Sequence, residues 1–368
     1  MVLRGVSILN YKNIEQGELI LSPKINCFTG NNGMGKTNIL DAIYYLSFCR
    51  SFITPNDMAV VREGSDFMML RGRYERKGEI EDISFGLQLG KRKSLKRNGK
   101  EYSRLSQHIG LLPLVMVSPM DWELIRGGSD VRRRFIDQII SQSDKGYLAN
   151  LIAYTKGVEN RNVMLKKGYR DAILFETIET QISDMAQAIH AARTEWIKRF
   201  SPILLNYYQA ISGGKELVKL VYKSPLNERS MLQIMNDNRA KDAALGYTSE
   251  GVHRDDIELM LGALLMRKGG SQGQCKTYTV ALRFAQYDFL KEHSGVSPLL
   301  LLDDIFDKLD ANRVESIMSI VARNTFGQIF VTDTNRTHLD EIIRRIGGDY
   351  NIYNVTDGVC ESVNLLAQ

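Results

Sequence analysis

The chain has 368 residues, 43% hydrophobic and 25% charged, with 48 basic against 43 acidic side chains for a formal net charge of +5. No apolar run reaches membrane-spanning length and the start, MVLRGVSILNYKN, lacks the apolar core of a secretory signal, so the expected location is the cytoplasm with no membrane partner. Cys27, Cys49, Cys275 and Cys360 form no CxxC pair, which argues against a zinc site or a disulfide framework, while the mild basic excess permits a polyanionic partner without requiring one.

Residues 2–14, 17–22 and 25–30 alternate apolar and polar side chains as strands do. A helix follows from Lys36, with Ile39, Ala42, Ile43 and Leu46 on one face, which predicts an amphipathic helix. Strand patterning returns at 67–76, 79–89 and 113–118, and Asn98-Gly99 inside GKRKSLKRNGKEY is a two-residue hairpin signal. From about 130 to 213 the period becomes helical, with Leu148, Leu151, Ile152, Thr155 and Val158, then Ile178, Ile182, Met185, Ile189, Trp196 and Phe200. The turn-like KKGYRD divides this stretch into two long helices, readable either as a projecting hairpin or as helices on the side of one large core. Strands are expected again at 216–223 and 255–262. The last third reads as a buried strand at 297–305, a helix at 313–323, a strand at 328–333 and a helix at 339–346.

Three motifs carry chemistry. GNNGMGKT, residues 30–37, fits G-x-x-x-x-G-K-[ST] and stands between a strand and a helix, the context a phosphate loop requires. Its glycines let backbone N–H groups face a phosphate at a helix N-terminus. Lys36 would reach the β- and γ-phosphates, and the Thr37 hydroxyl would ligate Mg²⁺. LLLLDD, residues 299–304, reads as a buried parallel strand delivering two carboxylates at its C-terminal end. Asp303 would hold Mg²⁺ and Asp304 would polarise the attacking water, a role commonly worth ~10²–10⁴-fold.

The third motif, GGSQGQCKTYTVALRFA at 269–285, has glycines and a helix start but no Gly-Lys-Thr ending. Ser271 is placed as a phosphate contact and Gln272-Gly273-Gln274 opens the helix, whose apolar stripe is Tyr278, Ala281, Leu282, Ala285 and Phe289. It can touch phosphate through its Ser hydroxyl and backbone N–H groups but cannot supply the phosphate-loop lysine or the metal. It is half a site.

Together these residues resemble the ABC-type ATPase heads of the SMC-like DNA-repair proteins, with SQGQ in the place of the signature and KLD, 308–310, where the D-loop follows. The resemblance narrows to the bacterial RecF family through LNYKNI, GNNGMGKTNILDAIYYLSFCRSF, VSPMDWELIRGGSDVRRRFID, GVHRDDIEL, GSQGQCKT and LLLLDDIFDKLD, which span nearly the whole chain. It implies an α/β fold: an ABC-type head with a mixed β-sheet and flanking helices (1–117 and 249–368), and a mainly helical lobe (118–248). It implies ATP and Mg²⁺ as cofactors. The nucleotide contacts implied are Gly30, Asn31, Asn32, Gly33, Met34, Gly35, Lys36, Thr37, Asn38 and Lys12, with Ser271, Gln272, Gly273, Gln274 and Asp310. Also implied are an ATP-dependent homodimer, binding to single-stranded, double-stranded and gapped DNA, and action with RecO and RecR in loading RecA.

The chain departs from the family pattern in places. Lys12 stands where arginine is frequent, Val252 replaces the proline before His253-Arg254, and Asp304 is shorter than the glutamate of many ABC ATPases. VTDTN offers Thr332 and Asp333 where a switch histidine is common. These departures predict a slow ATPase acting as a timer or clamp. A transporter subunit, a chromosome-holding head with long coiled-coil arms and a defence ATPase with a nuclease domain fit the sequence less well.

DNA contact is expected to rest on phosphate neutralisation. The densest basic stretch carries Lys91, Arg92, Lys93, Lys96, Arg97 and Lys100, of which Lys93, Lys96 and Arg97 are the expected contacts, with Arg133 from DVRRRF. The arginines of DVRRRF have a second reading as internal partners of Asp130 or Asp137. His253 beside two acids invites a metal reading, but without a second ligand cluster a structural hydrogen-bond network is the expectation.

Overall fold

Alternating side chains in the first twenty residues form a hairpin of β1 (Val2–Tyr11) and β2 (Ile14–Ile20), after which β3 (Ile25–Thr29) runs into α1 (Lys36–Phe48). Next come β4 (Phe67–Arg76), β5 (Glu79–Gln88), β6 (Ser94–Arg97), β7 (Lys100–Glu101) and the short β8 (Leu114–Val117). One antiparallel sheet has the order β2-β1-β4-β5-β6-β7. The expected Asn98-Gly99 turn joins its last two strands, with Asn98 at φ 50° and its side-chain oxygen accepting from Asp82 N at 2.8 Å.

The chain, a computed structural model describing residues 1–169, 171–214, 216–305, 310–323 and 325–363, divides into two units, Met1–Met120 with Gln286–Gln368 and Asp121–Ala285. The second unit holds α2 (Trp122–Arg126), α3 (Ser129–Ser143), α4 (Lys145–Lys166), α5 (Ala172–Ser212), β9 (Val218–Lys223), α6 (Met231–Asp237) and α7 (Arg239–Leu245). It continues through β10 (Asp256–Leu261), β11 (Leu264–Leu265) and α8 (Met266–Gly269) to the start of α9 (Gln272–Ser294). Residues 249–285, grouped with the head from sequence, therefore fall in this unit.

The two long helices are antiparallel: Arg161 of α4 bonds Glu179 of α5 at 2.9 Å, and further along Tyr147 OH accepts from Arg193 Nε at 3.0 Å. They do not form a bare arm. The Arg161 side chain is wholly buried, bonded also to Asp242 of α7 at 2.7 Å and Thr248 at 2.9 Å. Such a buried ion network holds three helices in one register, because an arginine left there without its acids would be a desolvated charge.

After α9 the chain adds β12 (Leu299–Asp303), α10 (Ala311–Ala322), β13 (Ile329–Asp333), α11 (Arg336–Ile346), β14 (Tyr350–Thr356) and β15 (Val359–Ser362). The second sheet of the first unit has the order β15-β14-β3-β13-β12-β8, parallel from β14 to β8 with β15 antiparallel at the edge.

The amphipathic expectation for α1 needs correction. Every residue from Ile39 to Phe48 is buried, because α1 packs against β1, β4 and β5 of one sheet and β8, β12 and β13 of the other. A helix enclosed by two layers is buried all round rather than along a stripe. In α9 too, Thr277, Thr279, Arg283 and Gln286 are buried beside the expected apolar stripe.

Candidate nucleotide-binding site

The parallel pairing of β3, β13 and β12 brings the ends of three strands side by side, with Phe28 opposite Thr332 and Thr332 opposite Asp303. Ligands of open α/β sheets collect at this C-terminal edge. The loop leaving β3 begins at Gly30, at φ 146°, where a Cβ would lie 2.3 Å from the Val355 carbonyl of β14. Only glycine fits that close approach.

Lys36 is 4% exposed, and its Nζ donates to the loop's own carbonyls, Gly30 O at 2.7 Å and Asn31 O at 3.0 Å. From the other side the loop is braced at Met34, whose carbonyl accepts from Gly358 N at 2.9 Å and Asn13 Nδ2 at 3.2 Å. Asn38 Nδ2 donates to Asn13 Oδ1 at 2.8 Å, so a turn on each of two hairpins, β1–β2 and β14–β15, supports the loop. Neither brace was visible in the motif itself.

Two hydroxyls converge on one carboxylate oxygen. Thr37 Oγ1 donates to Asp303 Oδ1 at 2.9 Å and Thr332 Oγ1 donates to the same atom at 2.7 Å. Burial raises the Asp303 pKa, while those two hydrogen bonds and nearby Lys36 act in the opposite direction. Asp304 follows in the left-handed region at φ 44°, its N–H facing Thr332 O at 3.3 Å and Thr332 Oγ1 at 3.2 Å. A non-glycine residue held there is strained, and such strain is typical of positions whose side-chain direction matters. Thr332, noted in sequence only for not being histidine, thus anchors both acids.

Lys12 has a different neighbourhood: its Nζ pairs with Asp41 at 2.6 Å. Asp41, fully buried on α1, also accepts from Tyr11 OH at 2.7 Å, Ser51 Oγ at 2.6 Å and Phe52 N at 2.6 Å. Asp310 caps α10 by accepting from Arg313 N at 3.0 Å; Lys308 and Leu309 of the expected D-loop lie outside the described residues.

In the second unit, the glycine-rich loop forms a reciprocal cap on α9. Ser271 Oγ accepts from Gln274 N at 3.2 Å, and Gln274 Oε1 accepts from Ser271 N at 2.7 Å. The Ser271 oxygen is used as an acceptor, which leaves its single hydrogen to donate outward from an exposed position. Gly270 is packed so closely that a Cβ would lie 2.3 Å from Met266 Sδ.

Residues 2–359 match the family described as RecF/RecN/SMC N terminal domain. The DNA replication and repair protein RecF of Parabacteroides distasonis is 51% identical over 358 residues, 97% of this chain and 98% of that one. The protein of the same name from Phocaeicola vulgatus is 51% identical over 361 residues, 97% of each chain. The chain belongs to the RecF family. A solved structure of the recombination mediator protein RecF with ATP superposes with TM-score 0.89 at 26% identity, covering 98% of this chain and 97% of that one. An Smc head, at TM-score 0.61 and 15% identity, covers 99% of this chain and 97% of that one and shares the fold. The fold is thus the ABC/SMC-type ATPase head with a helical lobe.

In this RecF-family chain, the basic residues chosen from sequence have different neighbours. Lys93 Nζ pairs with Asp57 at 2.6 Å, donates to Cys49 O at 3.2 Å and lies over the Tyr45 ring. Arg97 forms a two-pronged pair with Glu81, whose side chain is 3% exposed. The partner of Arg97 is an acid of its own sheet, whereas that of Lys93 stands in the short turn at 57–60 between α1 and β4. Lys96 of β6 points to solvent, as do Lys91 and Lys100. Arg133 is half-buried and donates to Asp255 O at 2.6 Å. Of its neighbours, Arg132 pairs with Asp256 at 2.7 Å and Arg134 with Asp130 at 2.9 Å, so only the last follows the internal pairing read from sequence.

His253 sits in a hydrogen-bond network, 2.7 Å from Tyr154 OH through Nδ1 and 3.0 Å from Thr248 O through Nε2. Those partners assign the proton to Nε2. Burial, more than the charges of Arg254 and Arg133, lowers its pKa from 6.5 to about 4. The unfolded chain therefore binds a proton between pH 6.5 and 4 that the folded chain refuses, so stability falls as pH drops through that window, by up to roughly 3 kcal/mol. Denaturant unfolding at pH 7 and 4.5 should show wild type losing more stability than His253→Gln; equal losses would contradict this environment.

Proposed function

We propose that the chain is an ATP-dependent recombination mediator of DNA repair and replication, in which two copies close around two ATP molecules and grip DNA. One observation carries this reading: Lys36, Thr37 and Asp303 surround one loop, whereas the Ser271 loop offers a donor hydroxyl at a helix start without the Gly-Lys-Thr ending of a phosphate loop. A site with one complete half and one half-site is completed by a second copy. Likeness to the mediator structure with ATP, described as a member of the RecFOR pathway, supports the same conclusion.

In this mechanism Lys36 exchanges the Gly30 and Asn31 carbonyls for β- and γ-phosphate oxygens. The Thr37 hydroxyl and the Asp303 carboxylate, 2.9 Å apart, are hard oxygen donors suited to Mg²⁺, which would neutralise phosphate charge. Asp304 accepts hydrogen from the attacking water, its carboxylate direction set by the left-handed backbone. The second copy's Ser271 donates its hydroxyl to the γ-phosphate and senses whether that phosphate is present. ATP thereby stabilises the dimer and hydrolysis releases it. The short reach of Asp304 and the absence of a switch histidine at 332–333 keep turnover slow. Cooperation with RecO and RecR in loading RecA at gaps is the corresponding cellular role, in the cytoplasm. Among the described residues, no helix is long and apolar enough to cross a membrane.

DNA contact is assigned to the outward lysines of the β6–β7 hairpin. Charge reversal at Lys91, Lys96 and Lys100 should weaken binding to gapped DNA and flatten the salt dependence by about one unit of slope for each phosphate left without its lysine. Fluorescence anisotropy between low and physiological salt reads both. An unchanged slope would remove the hairpin from the DNA surface.

A further inference from the structure

Behind the signature loop stands a residue that the motif does not contain. The reciprocal cap uses the Gln274 side-chain oxygen to accept from Ser271 N, so its NH₂ group must face away from the loop. It donates there to Glu216 Oε1 at 2.5 Å. The other carboxylate oxygen, Oε2, accepts from Tyr208 OH at 2.5 Å. Tyr208 is wholly buried near the end of α5 and meets Tyr278 of α9 edge-on, ring centres 5.7 Å apart.

These bonds have a direction. An amide can present either its oxygen or its NH₂ to the loop, and only the oxygen satisfies Ser271 N–H. Glu216 is an acceptor with no hydrogen to give, so it selects the orientation in which NH₂ points backward and oxygen forward. Tyr208 in turn fixes the carboxylate. With the amide reversed, two donors would face each other at Ser271 and the cap would open. The hydroxyl direction would then be lost, because that direction follows from Oγ accepting from Gln274 N.

We propose that Glu216 is a positioning residue which, through Gln274, aims the Ser271 hydroxyl at the γ-phosphate of a nucleotide held by a second copy. Glu216 touches no nucleotide in this arrangement. The proposal rests on the shared-site reading above.

The test uses the full chain as wild type, Glu216→Ala, Glu216→Gln and Ser271→Arg. It measures three quantities: ATP affinity of the monomer, the protein concentration at which ATP drives dimerisation, and the melting midpoint without ATP. Glu216→Ala should raise the dimerisation midpoint about tenfold, the scale of one orienting hydrogen bond, with monomer ATP affinity unchanged. Glu216→Gln should stay near wild type, since its amide oxygen can accept from Gln274 while its NH₂ donates to the Tyr208 oxygen. If Glu216→Ala also lowers the melting midpoint, Tyr208→Phe, which deletes a single oxygen, carries the test and should shift dimerisation in the same direction. Wild-type dimerisation by Glu216→Ala, or by Tyr208→Phe in that event, overturns the positioning role. A defect in Glu216→Gln equal to that of alanine overturns it too, since charge rather than bond direction would then matter. In either case a blocked Ser271→Arg leaves the shared site standing. Normal dimerisation by Ser271→Arg is the distinct outcome in which the shared site itself fails.

Discussion

Ser271→Arg is expected to abolish ATP-driven dimerisation while the monomer keeps its affinity for ATP within about twofold. The cap on α9 loses its oxygen acceptor, which costs about 1 kcal/mol, and the larger side chain overfills a surface meant to close on a phosphate, at about 1–3 kcal/mol more. Together these correspond to roughly 30-fold to 10³-fold in the dimerisation constant. Monomer affinity is expected to be spared because the groups proposed to hold nucleotide in the same chain, Lys36, Thr37 and Asp303, belong to the other unit. Light scattering with and without ATP reads the first quantity, and titration with a fluorescent ATP analogue at low protein concentration reads the second. A variant that dimerises like wild type would remove the serine from the site.

Asp304→Asn is expected to lower hydrolysis by ~10²–10⁴-fold and leave ATP-driven dimerisation intact, so that dimers accumulate. The asparagine substitution is informative because of the backbone. Asp304 is at φ 44°, a conformation that asparagine tolerates as well as aspartate, whereas alanine would add strain to the loss of the carboxylate. The neighbouring Asp303 would not give so clean a result, since its removal strands the hydroxyls of Thr37 and Thr332. Steady-state phosphate release alongside dimer lifetime separates the two roles. An asparagine variant that hydrolyses at the wild-type rate would show that another group handles the water.

How much of this was legible in the sequence depends on the range of the interaction. The phosphate loop and the two acids were readable because each lies within a dozen residues of a strand end, and strand-loop-helix patterning is local. Their union needed only the rule that parallel strands share a functional edge, and β3, β13 and β12 obey it. The half-site reading of the Ser271 loop followed from its lack of a Gly-Lys-Thr ending. By contrast, α1 looked amphipathic because its pattern cannot reveal a second sheet over its polar-looking face.

Charge density in sequence picked out Lys93 and Arg97 but says nothing about pairing. Asp57 and Glu81 are 36 and 16 residues away from them and meet them only in the folded chain. The supports of the site were hidden for the same reason. Asn13 and Gly358 brace Met34 from opposite ends of the chain, and Glu216 reaches Gln274 across 58 residues. Thr332 was a partial exception: a polar Thr-Asp ending an apolar strand, next to the strand carrying Asp303, was a signal that parallel register could have exposed.

The most direct test of a site built by two copies is a mixing experiment between two variants that fail for different reasons. Lys36→Ala lacks the phosphate loop's cation, and Ser271→Arg lacks the signature donor. A mixed dimer contains one site with Lys36 from one copy and Ser271 from the other, both intact, and one site with neither. ATP hydrolysis and dimerisation should therefore be negligible for either variant alone and return on mixing, with one nucleotide held per dimer. No recovery on mixing, or full activity of either variant alone, would contradict the shared site.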